Sequence, residues 1–189
     1  MPSNDLTTKD KLIRAARLIV AREGLSAATT AAIAAEAGLA EGTLYRHFPS
    51  KDDLLVEAYR RLKVGVFGRV IEDKPGEIDL TLKLKRVWRE IFDAYRMDPD
   101  GFVFGQRFAE SPLADREAGQ AMEFVTSALR QLHGQGLADG LFKDLPLDLM
   151  GNLFFGPIGY MLKTETKGRV WSEVELQAAA GAVLDAWRR

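Results

Sequence analysis

Cysteine is absent from this chain of 189 residues. Its absence excludes disulfide bonds, thiolate metal sites and cysteine nucleophiles. Histidine is scarce: His47 and His133 are the only two, and neither has a His or Glu partner at metal-ligand spacing. The sequence therefore predicts no metal site, no cofactor and no enzymatic activity. A helical enzyme is kept as an alternative that the scattered carboxylates do not favour.

Long apolar runs are also lacking. The longest candidate, residues 145–162, is interrupted by Asp148 and Asn152, and a membrane-spanning helix needs about 18 apolar residues. Residues 1–5 are polar, with no basic start and apolar segment of the kind that forms a signal peptide. We therefore expect no membrane partner and a cytoplasmic location.

Strand patterns are nearly missing, whereas apolar residues recur at helical spacing along the whole chain. The first predicted helix begins at a Thr7–Asp10 capping box and ends at Gly24, where a glycine commonly follows a helix. The other predicted helices cover residues 30–37, 40–48, 50–70, 79–96, 102–110, 113–135, 147–165 and 172–188. Breaks are expected at residues 72–76, 98–101 and 134–146, which are rich in Gly, Pro and Asp. The expected fold is all-α, with about nine helices.

The first 60 residues have the order that a helix-turn-helix requires: a helix, a short helix, a turn at Gly38 and a second short helix. Alanines at 32, 34, 35 and 37 allow the two short helices to approach closely. Leu39 and Leu44 are expected to pack beneath the second short helix. That helix can then lie in the major groove of DNA with its N-terminal end against the bases.

The exposed residues of this recognition helix suit contacts with DNA. Gly42 lets backbone N–H groups approach a phosphate, and Thr43 offers a hydroxyl and a methyl group. Tyr45 can donate a hydrogen bond to a phosphate, and His47 can donate to a phosphate or a base. Arg46 can form a bidentate contact with guanine.

Lys51 lies in the first turn of the next helix, where a cation opposes the helix dipole. A DNA phosphate held at that helix end would remove the conflict. The alternative interpretation is a solvated surface lysine.

The N-terminal motifs resemble the signature of TetR-family transcriptional regulators. The matching segments are GLSAATT (24–30), IA (33–34), AGL (37–39), GTLYRHF (42–48) and KDDL (51–54). The resemblance implies a DNA-binding domain at residues 1–58 and a helical ligand-binding and dimerisation domain at residues 59–189. It also implies DNA contacts, mostly to the backbone, at Thr30, Gly42, Thr43, Tyr45, His47 and Lys51. Arg46 matches a variable position that often reads bases.

Two residues depart from the family pattern. Ala40 stands where the family usually has Ser or Thr and so lacks a helix cap worth about 1 kcal/mol. Glu41 stands where the family commonly has Lys. The first 60 residues also carry eight basic and eight acidic side chains, whereas DNA-binding domains are usually basic. Two explanations are open: a lower operator affinity, or compensation by Lys9, Lys11 and Arg14. A helical adaptor with weakened DNA binding is the competing function.

The last two predicted helices are candidates for a dimer interface, because two such hairpins would form a four-helix bundle. The candidate interface residues are Leu149, Leu153, Ile158, Leu176, Ala180, Val183, Leu184 and Trp187. The same apolar stripes can instead face the core of their own subunit.

The C-terminal half is also rich in aromatic residues that could line an apolar pocket. The candidates are Trp88, Phe92, Tyr95, Phe104, Arg107, Phe108, Met122, Phe154 and Tyr160. Ordinary core packing is the alternative for these side chains. Taken with the resemblance, these features predict a ligand-responsive repressor that binds a palindromic double-stranded DNA operator as a homodimer. A small apolar or aromatic effector would release it.

Overall fold

The computed structural model of the chain describes residues 6–68, 70 and 79–189, without the side chains of residues 115–122 and 124. Within that part it contains nine α-helices, one 3₁₀ turn at Leu25–Ala27 and no strand beyond a single bridge between Phe142 and Arg188. The helices are α1 (Thr8–Glu23), α2 (Thr30–Glu36), α3 (Gly42–His47), α4 (Lys51–Phe67), α5 (Leu80–Arg96), α6 (Pro99–Ala109), α7 (Pro112–Ala138), α8 (Leu147–Glu165) and α9 (Glu173–Trp187). The predicted all-α fold is confirmed.

Side chains at the helix starts explain why the helices begin where they do. Thr7 and Asp10 form the predicted capping box of α1, and the Thr29 hydroxyl accepts a hydrogen bond from the Ala32 N–H of α2. Such caps satisfy N–H groups that have no partner inside the helix. Gly24 follows α1 with a φ of +98°, as its predicted role at the helix end requires.

One predicted break is wrong, and another begins later than expected. Residues 98–101 were expected to form a turn, but α6 begins at Pro99, and the Asp98 carboxylate accepts a hydrogen bond from the Gly101 N–H over 2.9 Å. Proline is well suited to the first position of a helix, so the same residues that indicate a turn also start a helix.

The break expected from residue 134 does not occur at that point, because α7 continues to Ala138. Gly136 is a packing residue: a Cβ at that position would overlap the ring of Phe142. Gly140, with a φ of +68°, follows the helix end instead. The break predicted at residues 72–76 lies outside the described residues.

The helices form two compact units. Unit 1 comprises Met1–Gly65 and Asp98–Met122, and unit 2 comprises Val66–Met97 and Glu123–Arg189. In unit 1, Leu12, Ile33, Leu44 and Phe108 are among the fully buried side chains. In unit 2, Trp88, Phe142, Phe154 and Trp187 form a dense aromatic core.

The predicted domain boundary between residues 58 and 59 falls inside α4, which runs unbroken from Lys51 to Phe67. The division into a DNA-binding and a ligand-binding domain stays a prediction. None of the helices in the described ranges combines the length and the apolar character needed to cross a membrane.

Candidate nucleic-acid interface

A tight turn joins α2 to the segment that precedes α3. Gly38 adopts a φ of +68°, a left-handed conformation that glycine reaches without steric cost. The Leu39 N–H donates to the carbonyl of Ala34 over 2.9 Å and so satisfies the end of α2. Leu44 is completely buried beneath α3. The buried face of α3 is thereby fixed, and its opposite face is left exposed.

The exposed face of α3 carries most of the predicted DNA-contacting residues. Tyr45 is 57% exposed, although it is a large aromatic side chain, and Arg46 and His47 are also exposed. Gly42 begins the helix and has open space on the side where a Cβ would be. Thr43 is half-buried. α3 begins two residues later than predicted, so Ala40 and Glu41 precede it.

The remaining two predicted contact residues lie on the neighbouring helices. Thr30 is the first residue of α2, and its hydroxyl donates to Oε1 of Glu41 over 2.6 Å, which places it beside the N-terminal end of α3. Lys51 is the first residue of α4, as predicted, and it is half-buried. The hydroxyl of Ser50 accepts a hydrogen bond from the Asp53 N–H at this helix end. Lys51 forms no salt bridge with any described residue.

The charges of the first 60 residues are unevenly paired. Several cations are engaged by carboxylates: Lys9 by Glu57, Arg17 by Asp98, Arg22 by Glu36 and Arg60 by Glu57. Among the basic side chains of residues 6–60, four form no such ion pair: Lys11, Arg14, Arg46 and Lys51. Although the net charge of this segment is zero, four of its basic side chains are therefore not neutralised by a carboxylate within the described residues.

A polar cluster holds α1 against α4. Arg61 donates to Asp10 over 2.5 Å and to Glu57 over 2.8 Å. A hydrogen bond from the Thr7 hydroxyl, together with Arg61, lowers the pKa of Asp10. Lys9 also lies over the ring of Phe48, 5.2 Å from its centre. Of the three basic residues expected to compensate for Glu41, Lys9 is thus engaged elsewhere, whereas Lys11 and Arg14 are exposed.

The helix α6 packs on α1 and belongs to unit 1. Arg17 of α1 forms an ion pair with Asp98, the cap of α6, and Arg107 donates to the carbonyl of Val20 over 2.7 Å. The ring of Phe108 stacks on Tyr59 with their centres 4.4 Å apart.

Lys63, on the same helix as Tyr59, lies over that ring at 5.0 Å from its centre. Burial lowers the pKa of Lys63 to about 8. The sequence alone gave no indication of this lysine's environment.

Unit 2 contains a small apolar cavity of about 20 Å³. Its lining is Phe67, Leu84, Val87, Ile91, Val125, Ala128, Leu129, Leu132, Phe154 and Phe155. This volume is close to that of one water molecule, so a larger molecule requires the surrounding helices to move apart.

Most of the predicted pocket residues lie elsewhere. Phe154 lines the cavity, whereas Phe104, Phe108 and Arg107 belong to unit 1. Tyr160 is 71% exposed and lines no buried space. The side chain of Met122 lies outside the described residues.

Trp88, Phe92 and Tyr95 are core residues of unit 2. The indole N–H of Trp88 donates to the carbonyl of Phe154 over 3.0 Å, and its ring stacks on Phe92. Tyr95 is buried. The lining residues that the prediction missed are mainly aliphatic. The helical spacing of Leu84, Val87 and Ile91 was the feature of the sequence that could have indicated them.

The predicted dimer residues largely face the core of their own subunit. Ile158, Leu176, Ala180, Val183, Leu184 and Trp187 are buried. Leu153 is half-buried, and only Leu149, at 43%, is exposed. The alternative interpretation, in which these apolar residues pack in the core of their own chain, therefore holds for most of the eight residues.

A different stripe is exposed on the same two helices. On α8 it comprises Leu149, Asn152, Gly156 and Tyr160, and on α9 it comprises Val174, Ala178 and Ala182. Several of these side chains are small or apolar, although they face solvent in the single chain.

Comparison with known proteins identifies the N-terminal segment. Residues 12–58 match the sequence profile described as "Bacterial regulatory proteins, tetR family". The chain is 30% identical over 154 residues to the HTH-type transcriptional repressor KstR2 of Mycolicibacterium smegmatis, a match that covers 79% of this chain and 75% of that protein.

Solved structures share the fold over nearly the whole chain. A TetR family transcription regulator from Marinobacter aquaeolei VT8 has a TM-score of 0.88 at 23% identity, covering 96% of this chain and 95% of that one. FadR from Bacillus subtilis, in complex with stearoyl-CoA, has a TM-score of 0.75 at 22% identity, covering 93% and 95%. By its profile match and its similarity to KstR2, the chain belongs to the tetR family of bacterial regulatory proteins and is a DNA-binding regulator of transcription.

Proposed function

We propose that the protein is a homodimeric repressor that binds a palindromic operator and leaves it when a small apolar effector binds. The observation that carries the proposal is the exposed face of α3, with Arg46 on it and Lys51 at the start of α4, neither of them paired with a carboxylate in the described part of the chain. A dimer would place two copies of α3 in successive major grooves, one in each half-site. Repression is supported by the name of the related KstR2 protein. We place the protein in the cytoplasm, with the chromosome.

The residues of this surface divide into two roles. Tyr45, His47 and Lys51 would donate N–H or O–H groups to phosphates. Thr30 donates its single O–H to Glu41, so it would act beside them by holding Glu41. Arg46 would read a base edge, since its planar guanidinium matches the two acceptors of guanine. Phosphate contacts fix the position of the protein on DNA, and the base contact selects the sequence.

The effector would bind in unit 2, at the apolar cavity. All ten lining residues are apolar, so the bound part of the effector would be a hydrocarbon chain or ring. The fatty acyl ligand of the FadR structure supports this class of molecule. Because the cavity is only about 20 Å³, the effector would bind best to a minor conformation in which α5, α7 and α8 are further apart.

Chain connectivity suggests how this opening would reach the DNA-binding helices. Leu84, Val87 and Ile91 line the cavity from α5, and only Met97 and Asp98 separate α5 from α6. α6 is held to α1 through Asp98 and Arg107. A shift of α5 would therefore displace α6 and, with it, α1.

The dimer interface would be the exposed stripe of α8 and α9. Gly156, Ala178 and Ala182 permit close approach of helices, while Leu149, Tyr160 and Val174 supply apolar surface. The residues that the sequence predicted for the dimer interface are mostly buried, and they would pack beneath this exposed stripe.

The test is a gel shift of the full chain with the DNA that flanks its own gene. We expect a retarded complex whose affinity falls steeply as salt rises, because phosphate contacts release counterions. Stearoyl-CoA, or another long-chain acyl-CoA, serves as the probe for release. Absence of any shift at low salt would contradict the proposal and favour an adaptor.

A further inference from the structure

Glu41 is the most unusual residue of the proposed DNA-binding surface. It immediately precedes α3 and is exposed, and its backbone is already helical, with φ −55° and ψ −40°. Its side chain does not cap the helix. It reaches α2 instead, where the Thr30 hydroxyl donates to Oε1 over 2.6 Å.

The hydrogen bond with Thr30 occupies one carboxylate oxygen and leaves the other available. Oε2 accepts no hydrogen bond, and the carboxylate forms no salt bridge, within the part of the chain that the structure describes. An ionised carboxylate has room for several acceptor contacts on its two oxygens. Glu41 therefore combines a fixed orientation with an unused acceptor.

The surroundings of Glu41 leave its side chain prominent. Ala40 and Gly42 flank it, both exposed, and neither extends beyond a methyl group. Space beside Gly42 is open. Glu41 is thus the one long side chain of the exposed segment 40–42 at the start of α3.

A carboxylate at this position is unfavourable beside phosphates, which carry the same charge. It becomes favourable only when a donor on the DNA faces it. The major groove offers two such donors, the N4 amino group of cytosine and the N6 amino group of adenine. In adenine the N7 acceptor lies next to the amino group and repels a carboxylate, whereas cytosine has a C–H at the neighbouring position.

We propose that Glu41 is a specificity-determining residue that selects cytosine in each half-site by accepting a hydrogen bond from its N4 amino group. Thr30 acts as the positioning residue, because its hydroxyl donates to Oε1 and leaves Oε2 without a hydrogen bond from any described residue. The inference rests on the proposed placement of α3 in the major groove. It also explains why an acidic residue, which DNA phosphates repel, lies at the start of the proposed recognition helix.

The experiment is selection of binding sites from a library of duplexes with a randomised centre, carried out with the full-length wild type and variants. For Glu41→Ala we expect the cytosine preference at one position of each half-site to fall about 10-fold, with other positions unchanged. Glu41→Gln should shift that position towards adenine, which pairs with an amide side chain through N6 and N7. Thr30→Val, which keeps the shape without the hydroxyl, should weaken the same preference.

Two controls separate the possible failures. Glu36→Ala removes an exposed carboxylate from the same unit, away from the start of α3, and should leave every base preference as in the wild type. If Glu41→Ala raises affinity for all sequences equally and leaves the preferences unchanged, Glu41 acts only by repulsion and the inference is wrong. If Arg46→Ala also leaves all preferences unchanged, the placement of α3 itself is wrong.

Discussion

The guanidinium of Arg107 donates a hydrogen bond to the carbonyl of Val20, with 2.7 Å between Nη1 and the oxygen. Val20 lies in the last turn of α1, and Arg107 lies in the last turn of α6. Together with the ion pair between Arg17 and Asp98, this bond attaches α6 to α1 at two points. Replacement of Arg107 by Met should lower the free energy of unfolding by about 1 kcal/mol.

The loss should be no larger, because the Val20 carbonyl also accepts from the Gly24 N–H over 3.0 Å and keeps that partner. Urea denaturation measures it. Gln106→Met, at an exposed position on the same helix, is the matched control and should change stability little. Equal losses in both variants would mean that the bond contributes nothing specific.

The proposed DNA contacts predict two kinds of variant. Tyr45→Ala and Lys51→Ala should weaken binding to every duplex by a similar factor and, for Lys51, lower the slope of affinity against salt by about 1. Arg46→Ala should also relax the preference for one base. Fluorescence anisotropy against several duplexes at several salt concentrations distinguishes the two.

Arg60→Ala provides the control for lost charge, since Arg60 is exposed and forms an ion pair with Glu57. It should bind DNA as the wild type does. If Tyr45→Ala, Arg46→Ala and Lys51→Ala all leave binding intact, the assignment of α3 as the recognition helix fails.

The apolar cavity predicts that a small increase in side-chain volume stabilises unit 2. Val125→Ile adds one methylene group to a lining residue, and its burial contributes about 0.8 kcal/mol. Thermal unfolding should therefore occur at a higher temperature. A long-chain acyl-CoA should release this variant from DNA less readily, because the closed cavity is favoured.

Val183→Ile makes the same change at a buried position of unit 2 that does not line the cavity. Overpacking should make it neutral or destabilising. If both variants gain the same stability, the cavity is not the cause.

The exposed stripe of α8 and α9 predicts the effect of a charge on assembly. Ala178→Arg should give a monomer, because a dimer would bury the guanidinium between helices without a partner. Size-exclusion chromatography with light scattering gives the mass. Leu82→Arg, at an exposed position on α5, should remain a dimer; a monomer in both cases, or in neither, would contradict the assigned interface.

Lys63 predicts a pH dependence of stability. Its pKa is about 8 in the folded chain and 10.5 in the unfolded chain, so the unfolded chain binds more protons between these values. The stability contributed by this group is lowest below pH 8 and increases as the pH rises from about 8 to 10.5. Wild type and Lys63→Met should therefore differ most in stability at neutral pH and converge near pH 10.5. A difference that does not change with pH would exclude the shift.

The local structure of the proposed DNA-binding surface could largely be predicted from the sequence, because it depends on interactions between residues close together in the chain. The turn at Gly38, the caps at Thr7 and Thr29 and the burial of Leu44 each depend on residues within a few positions of one another. What the sequence could not show is the bond between Thr30 and Glu41, since it joins two side chains across the turn.

The pocket and the interface were harder to predict because each depends on which face of a helix meets which neighbour. Phe104 and Phe108 look like pocket residues by composition, yet α6 packs on α1. The predicted apolar stripe of α9 is present, but its large side chains, Leu184 and Trp187, are buried in the core of the single chain. They are therefore not available to a second subunit. Periodicity identifies an apolar face and leaves its partner undetermined.

The central claim, that α3 lies in the major groove once in each half of an operator, has a direct test that the lack of cysteine makes possible. Ala40→Cys introduces a single thiol beside the start of α3, at an exposed residue outside the proposed contacts, and an iron–EDTA group attached there cleaves nearby DNA. We predict two clusters of cuts on the selected operator, one in each half-site and related by its symmetry. The control is Asp144→Cys, which carries the same iron–EDTA group at an exposed position of unit 2. Scattered cuts from the Ala40→Cys conjugate, or localised cuts from the Asp144→Cys conjugate alone, would contradict the account.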